Sequence, residues 1–599
     1  MCGIVGYIGK KNTLPILIQG LKKLEYRGYD SAGVAYKDIN DKISICKTIG
    51  KVKALEEKIN FETGGTIGIG HTRWATHGGV TEKNSHPHRS GNITIVHNGI
   101  LENYQELKQE LMNEGYSFAS DTDTEVACCY IDYIYNKGNN PNIVEVLSSC
   151  MDTFVGSYAI VGMIDGNYDE LFVMKKDSPL IIASGSEGMY IASDISAYAG
   201  ETDKYFPLED NMIGTVTDSK VQIIMNKKII EPEFKIVNVK QYDSELQGFE
   251  HYMLKEIHEQ KDLVNDWYKD YFEDNKFDEL LDVNDFKKIH IVGCGTAYHA
   301  GMVGKYLLEY YGDTEVQVFI ASEYRYQKLF IDNETLVIFI SQSGETADTL
   351  ACIKKVKEYG AKTLGIVNVF DSSIARSVDN VIYTKALNEI AVASTKAYVA
   401  QVYVLGMLAV KVGINYKKFE LRDIDKYYVG LSDLIDKVLN FNYSPITSLI
   451  WDKEHMFYLG RNIDYVTMME GSLKLKEISY IHSEAMAAGE LKHGTISLMN
   501  EDSCIIVMAT LENLVSKTIS NIKEVKSRGA KVILFIREDI ADNLDKDCYD
   551  ELILVPKAGY LLQPIINVVY LQMIAYEVAK KLERDIDKPR NLAKSVTVE

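Results

Sequence analysis

The sequence predicts an α+β sandwich, two stacked sheets with helices outside (αββα), over residues 1–240, followed by two α/β units with parallel, doubly wound sheets. Three observations carry this. Residues 1–240 hold many short apolar strands and few crossover helices, the pattern of sheet packed on sheet. From about residue 240, strands and helices alternate to the C-terminus, the pattern of parallel sheets wound by helices. Within that half the chain repeats itself: 288–293 and 456–460 are each an apolar strand ending in Gly before a helix, and 353–362 echoes 522–531. The paired glycines, Gly293 with Gly460 and Gly360 with Gly529, lie 167 and 169 residues apart, so one unit occurs twice.

In order along the chain, 4–8 and 33–36 are short apolar strands, and 16–24 has helical spacing that stops before Arg27-Gly28-Tyr29. Further strands are expected at 65–70, 93–97, 158–162 and 171–174. The stretch His71-Thr72-Arg73-Trp74-Ala75-Thr76-His77-Gly78 is expected as a loop after one strand, and His97-Asn98-Gly99 as the end of another. Asp121-Thr122-Asp123-Thr124-Glu125 places acids in the first turn of a helix, as the helix dipole favours. Residues 241–284 form a linker and a leading helix, with a helical stripe from 251 to 268. The repeated units span 285–425 and 450–588, and 589–599 form a C-terminal tail. In the first unit the strand 336–340 runs into Ser341-Gln342-Ser343-Gly344-Glu345-Thr346 before the next helix.

Composition narrows the function classes. A hydrophobic share of 46% over 599 residues supplies several cores. A net charge of −20 argues against a nucleic-acid or anionic-membrane partner, since either requires a basic surface. With no apolar run of membrane-spanning length and Lys10-Lys11 close to the start, the protein is expected in the cytoplasm. The 9 cysteines include no C-x-x-C pair, and His86-Pro87-His88 has no partners at metal-ligand spacing, so no metal is expected. Gly293-Cys294-Gly295-Thr296-Ala297 gives G-x-G after a strand, but Tyr298 stands where a dinucleotide fingerprint needs Gly, which excludes NAD. No cofactor is expected.

Certain residues have chemistry of their own. Once Met1 is cut away, Cys2 carries both a thiol and a free α-amine, whose ordinary pKa values near 8.5 and about 7.7–8.0 suit a nucleophile and its base. Arg73 offers a bidentate fork for a carboxylate. Asn98 and the Gly99 N–H can converge on an oxyanion, although Asn-Gly is also a common hairpin turn. The Ser341–Thr346 stretch combines three hydroxyls, an amide and free N–H groups at a helix start, a cradle for phosphate. Lys474 and Glu477 are three apart and share a helix face, a spacing that ordinarily gives a surface ion pair.

Met1-Cys2-Gly3-Ile4, Arg27-Gly28-Tyr29-Asp30-Ser31-Ala32-Gly33, the Arg73 motif, His97-Asn98-Gly99 and the Asp123 motif together resemble the class II glutamine amidotransferases, the N-terminal nucleophile glutaminases. The resemblance implies an N-terminal nucleophile hydrolase-type sandwich in which Cys2 attacks the glutamine side-chain amide. Arg73 and Asp123 would then hold the glutamine carboxylate and amine, Thr76, His77 and Gly99 line the pocket, Asn98 and Gly99 hold the oxyanion, and Trp74 gates the ammonia. The Ser341–Thr346 stretch resembles the sugar isomerase (SIS) domain, which binds phosphosugars.

Two SIS units behind such a glutaminase resemble the glutamine–fructose-6-phosphate aminotransferase (isomerizing) family, as do 392–396, 470–482, 489–494 and the tail Pro589-Arg590-Asn591-Leu592-Ala593-Lys594-Ser595-Val596-Thr597-Val598-Glu599. This implies an enzyme, with L-glutamine and fructose 6-phosphate as substrates and ammonia passing between two sites in a homodimer. Thr296, Ser341, Gln342, Ser343 and Thr346 would bind the sugar phosphate, with Val392 and Ser394 nearby. Lys594 would form a Schiff base, Glu477 would move a proton with help from Lys474, and His493 would open the ring from the neighbouring subunit. One departure stands out: Ala297 occupies a position where the family usually has Ser, and the missing hydroxyl is expected to weaken phosphate binding by about 1 kcal/mol. Two rivals share parts of this pattern. A diphosphoribose-using amidotransferase lacks paired SIS units and the Lys594 tail, and a phosphosugar sensor makes no catalytic use of Cys2, Glu477 or Lys594.

Overall fold

The computed structural model describes residues 2–75, 77–138, 142–236, 245–274, 276–420, 424–542 and 544–597. They fall into two compact units, one drawn from 1–244 with 593–599 and the other from 245–592.

In the first unit an eight-stranded and a seven-stranded sheet are antiparallel throughout. The strand Gly3–Gly9 lies inside the larger sheet, between Gly188–Ala192 and Gly64–Arg73. Its alternation builds the layers. Ile4 and Ile8 join Val96, Val161 and Val173 in the core between the sheets. Val5 and Tyr7 pack outward against Leu14, Leu17 and Leu21 of the helix Thr13–Leu24. On the smaller sheet, Tyr158 and Ile160 pack against Val126, Ile131 and Leu147 of the helices Asp123–Lys137 and Ile143–Thr153, while Ala159 and Val161 face the other sheet. The layers therefore run helix, sheet, sheet, helix, as the sequence predicts.

Two boundaries differ from expectation. His71, Thr72 and Arg73 belong to the strand Gly64–Arg73, paired with Gly33, Ala32 and Ser31, so the loop begins at Trp74. The strand Ile93–Leu101 continues through His97, Asn98 and Gly99, which pair with Ile160, Ala159 and Tyr158, so Asn-Gly does not turn the chain. Gly99 has φ +132°, and a Cβ there would sit 2.0 Å from the Ser157 carbonyl oxygen. The glycine serves close strand approach rather than reversal.

The second unit contains two five-stranded parallel sheets with the same strand order, 2-1-3-4-5. The first runs through Lys288–Gly293, Glu315–Ile320, Thr335–Ser341, Lys362–Val367 and Asn380–Tyr383. The second runs through His455–Gly460, His482–Ala487, Cys504–Ala509, Lys531–Arg537 and Glu551–Val555. The repeated glycines now have a cause: Gly360 (φ +74°) and Gly529 (φ +88°) stop matched helices and donate to the carbonyls of Lys357 and Lys526. A further match escapes the sequence. The helix after each first strand starts from a positive-φ residue, Gly295 (φ +52°) in one copy and Asn462 (φ +55°) in the other, because Asn is among the few other residues that tolerate that region.

Both copies share one core. The helices Lys396–Asn415 and Gly559–Lys581 are long and apolar enough to cross a membrane, yet lie almost wholly enclosed among residues such as Ile257, Leu307, Ile446 and Val466. A helix apolar on all sides is a core helix when protein surrounds it. The helix Tyr252–Tyr268 seals this core with Met253, Ile257 and Leu263.

Candidate active site

Cys2 immediately precedes the strand Gly3–Gly9, and Asn98 comes from the facing sheet. Asn98 Nδ2 donates to the Cys2 carbonyl at 2.9 Å, and the Trp74 N–H donates to Cys2 Sγ at 3.2 Å. Burial pushes the Cys2 thiol above its ordinary pKa, and the Trp74 N–H and the Arg73 guanidinium oppose this without cancelling it. Such a thiol needs a base before it can attack.

The surrounding loop is tied down by backbone acceptors. Arg73, nearly fully buried, donates to the carbonyls of His77, Gly78 and Gly79. The Asp30 carboxylate receives the Ala75 N–H at 2.9 Å. Asp123 opens its helix and accepts the Leu101 N–H at 2.9 Å, while Thr122 caps the same helix by accepting the Glu125 N–H. The Trp74 ring meets Tyr29 edge-on at 5.9 Å, and the His77 ring meets Tyr104 at 5.6 Å. The structure thus gathers Trp74 and Asn98 about Cys2 by direct contacts, with Arg73 holding the loop through His77 and Asp123 tied to the end of the Asn98 strand. Thr76 lies outside the described residues.

In the second unit the loop after Thr335–Ser341 coils on its own hydroxyls. Ser341 Oγ and Thr346 Oγ1 are 2.9 Å apart, the Gly344 N–H donates to Ser341 Oγ at 3.0 Å, and the Glu345 N–H donates to Ser343 Oγ at 3.2 Å. The Gln342 carbonyl accepts the Asn368 N–H, which fixes the loop to the next strand end. Thr346 is the residue before the 12-residue helix Ala347–Glu358, so the N–H groups of that first turn face the same loop. Val392 is buried and donates its N–H to the Asp587 carbonyl at 3.0 Å, and Ser394 follows it just before the helix Lys396–Asn415.

Thr296 opens the helix Thr296–Tyr311 and links this region to the second copy: its Oγ1 donates to Glu470 Oε1 at 3.1 Å and accepts from Lys474 Nζ at 3.1 Å. Lys474 lies on the helix Ile463–Ser479, 2.6 Å from Glu477 and 3.3 Å from Glu470, with no exposed side-chain surface. The pair is therefore a buried cluster and not the exposed ion pair that its spacing ordinarily gives. Burial pulls the Lys474 ammonium down, but the two carboxylates outweigh it and hold its pKa above the ordinary lysine value. His299 Nδ1 closes the cluster 2.8 Å from Glu470. His493 ends the short turn Glu490–His493 and is exposed, and Lys594 is half-buried in the tail, within the first unit.

The second copy lacks a hydroxyl-rich loop. Counted from the helix start, Asp464 stands where Ala297 stands in the first copy, and Thr510 follows the third strand. Asp464 is buried, accepts the Thr510 N–H at 2.8 Å and the Thr510 hydroxyl at 2.5 Å, and is pushed up to about 6 by burial. A carboxylate of the chain fills that position.

Models of known families match both halves: a glutamine amidotransferase domain over residues 71–199 and a SIS domain over 283–411 and again over 449–581. A protein of Clostridium tetani (strain Massachusetts / E88) named glutamine–fructose-6-phosphate aminotransferase (isomerizing) is 47% identical over all of both chains. The chain belongs to the glutamine–fructose-6-phosphate aminotransferase (isomerizing) family. A member from Caldanaerobacter subterraneus subsp. tengcongensis is 44% identical over the same full span. The solved C-terminal domain of glucosamine-fructose-6-phosphate aminotransferase from Francisella tularensis matches at 36% identity and a TM-score of 0.54, covering 58% of this chain and all of that one.

Within this family member, sequence reasoning missed Glu470, His299, His71 and Asp30. Glu470 had a signal: it lies four residues before Lys474 and seven before Glu477, on the same helix face. Asp30 and His71 lie inside motifs that carry the family resemblance, but their partners, like that of His299, are remote in sequence.

Proposed function

We propose that this protein transfers the amide nitrogen of L-glutamine to D-fructose 6-phosphate with isomerisation, giving D-glucosamine 6-phosphate and L-glutamate. The observation that supports it most is 47% identity over the full length to a relative of that name, and it is supported by Asn98 against the Cys2 carbonyl and Lys474 against Glu477.

In the first unit, Met1 is removed and the Cys2 α-amine takes the thiol proton. The thiolate attacks the glutamine amide carbon, and Asn98 Nδ2–H and the Gly99 N–H hold the oxyanion. The Cys2 α-ammonium returns its proton to the amide nitrogen as the intermediate collapses, so ammonia leaves past Trp74, and water then releases glutamate from the thioester. Arg73 and Asp123 hold the glutamine carboxylate and amine, with Thr76 and His77 beside them. In the second unit, Thr296, Ser341, Gln342, Ser343 and Thr346 hold the sugar phosphate, with Val392 and Ser394 alongside. His493 of the partner subunit opens the ring in a homodimer, a role its exposed position suits. Lys594 condenses with the C2 ketone, ammonia displaces it, and Glu477 carries a proton from C1 to C2 while Lys474 holds the Glu477 carboxylate. Two sites on one chain suit ammonia, which water at neutral pH protonates to a non-nucleophile.

Cys2→Ala tests the division of labour. Glutamine-dependent synthesis should fall below detection while synthesis from added ammonium continues, and the intact mass of the active wild-type chain should lack Met1. Undiminished glutamine-dependent synthesis by the variant, or Met1 retained in active protein, would contradict the assignment.

A further inference from the structure

His71 is fully buried in the strand Gly64–Arg73, which pairs with the strand that Cys2 precedes. Its Nε2 lies 3.0 Å from the His97 carbonyl oxygen and 3.0 Å from Asn98 Oδ1. A carbonyl oxygen only accepts, so the His97 contact requires Nε2 to carry the proton. That proton then requires the Asn98 atom facing it to be the oxygen, which turns the Asn98 NH2 toward Cys2, where Nδ2 reaches the Cys2 carbonyl at 2.9 Å. The other ring nitrogen, Nδ1, is buried without a hydrogen-bond partner, and the ring stacks on His86 with centroids 4.0 Å apart. A protonated ring would bury an N–H with no acceptor beside it.

We propose that His71 is a positioning residue for glutamine hydrolysis: as the neutral Nε2–H tautomer it locks the Asn98 amide with its NH2 toward Cys2. Burial drives the His71 pKa down to about 3, in keeping with a ring that stays neutral at every working pH. Without this lock the amide can rotate by half a turn and present its oxygen to the oxyanion, replacing attraction by repulsion. The inference rests on the reading of Asn98 as an oxyanion donor.

The test is a double-mutant cycle on the full-length protein, with ammonia-dependent synthesis as the control for folding. Asn98→Ala is expected to lower kcat for glutamine hydrolysis by about 100-fold, the usual effect of losing one oxyanion donor. His71→Phe, which keeps a ring against His86 but removes the donor, is expected to lower kcat by roughly 10- to 100-fold with KM changed by less than about threefold. The double variant should be no slower than Asn98→Ala alone, since two residues that act as a unit are non-additive. His71→Gln, which retains an N–H donor, should recover part of the rate.

An unimpaired His71→Phe beside an impaired Asn98→Ala, or losses that multiply in the double variant, overturns the role of His71 and leaves the oxyanion reading standing. An unimpaired Asn98→Ala overturns the oxyanion reading itself. Where His71→Phe also loses ammonia-dependent synthesis, the solid-state 15N spectrum of histidine-labelled wild type decides, with His71→Gln identifying the resonance. An Nε2–H tautomer upholds the proposal and an Nδ1–H tautomer refutes it.

Discussion

The thiol of Cys2 and the ammonium of Lys474 illustrate opposite uses of burial at single residues. Burial raises the thiol, so the proposed nucleophile stays protonated until a base acts. Burial alone would lower the ammonium, and two carboxylates reverse the effect, leaving a fixed positive charge beside Glu477. In the proposed mechanism that charge steers the Glu477 carboxylate and does not itself accept a proton. Ala297 is the residue-scale departure from the family pattern. It sits in the first turn of the helix that Thr296 opens, and Ala297→Ser should return a hydroxyl to the anion site. The KM for fructose 6-phosphate is expected to fall by about fivefold, equivalent to about 1 kcal/mol for one recovered hydrogen bond. An unchanged KM would place the missing hydroxyl outside the phosphate's reach. The residues legible in the sequence were those whose side-chain type is itself unusual in its place, such as Cys2, Arg73 and the serines of 341–346. His71 and His299 were not legible, because a histidine declares its role only through partners brought from remote strands and helices.

At the scale of elements, short glycine-marked turns set the chemistry. Gly344 holds φ +66°, and a Cβ there would meet Ser372 Oγ at 1.9 Å, so Gly344→Ala both strains the backbone and displaces the loop. The KM for fructose 6-phosphate should rise at least about tenfold while glutamine hydrolysis is unaffected, because a strain of roughly 1–2 kcal/mol acts on the sugar site alone. Steady-state kinetics of the two half-reactions would expose the opposite pattern. Strand and helix types were readable from apolar periodicity, and the repeat from its paired glycines. The strand containing Asn98 ran past its expected end because Asn-Gly is a turn signal by propensity, whereas Gly99 here answers to the Ser157 carbonyl. The match of Gly295 with Asn462 was hidden because two unlike residues satisfy the same backbone requirement.

For the molecule as a whole, buried groups in the two units should contribute to the acid response with opposite signs. His71 is held neutral with a folded pKa of about 3, against about 6.5 when unfolded, so its contribution is intact above pH 6.5 and is lost as pH falls toward 3. By pH 5 this amounts to about 2 kcal/mol from His71 alone, and buried His86 and His88, also shifted down by burial, add to it. Asp464, raised to about 6, carries its penalty when ionised, so the same fall in pH from 7 to 5 returns about 1 kcal/mol to the second unit. Calorimetry should show the transition of the first unit falling more steeply between pH 7 and 5 than that of the second. Parallel shifts would argue against the buried neutral histidines. The central claim is that nitrogen made at Cys2 ends on the sugar. The most direct measurement supplies amide-15N glutamine, fructose 6-phosphate and an excess of unlabelled ammonium, and weighs the glucosamine 6-phosphate formed. The account predicts product far richer in 15N than the mixed ammonium pool. Product labelled only in proportion to the mixed ammonium pool, or no glucosamine 6-phosphate at all, would contradict it.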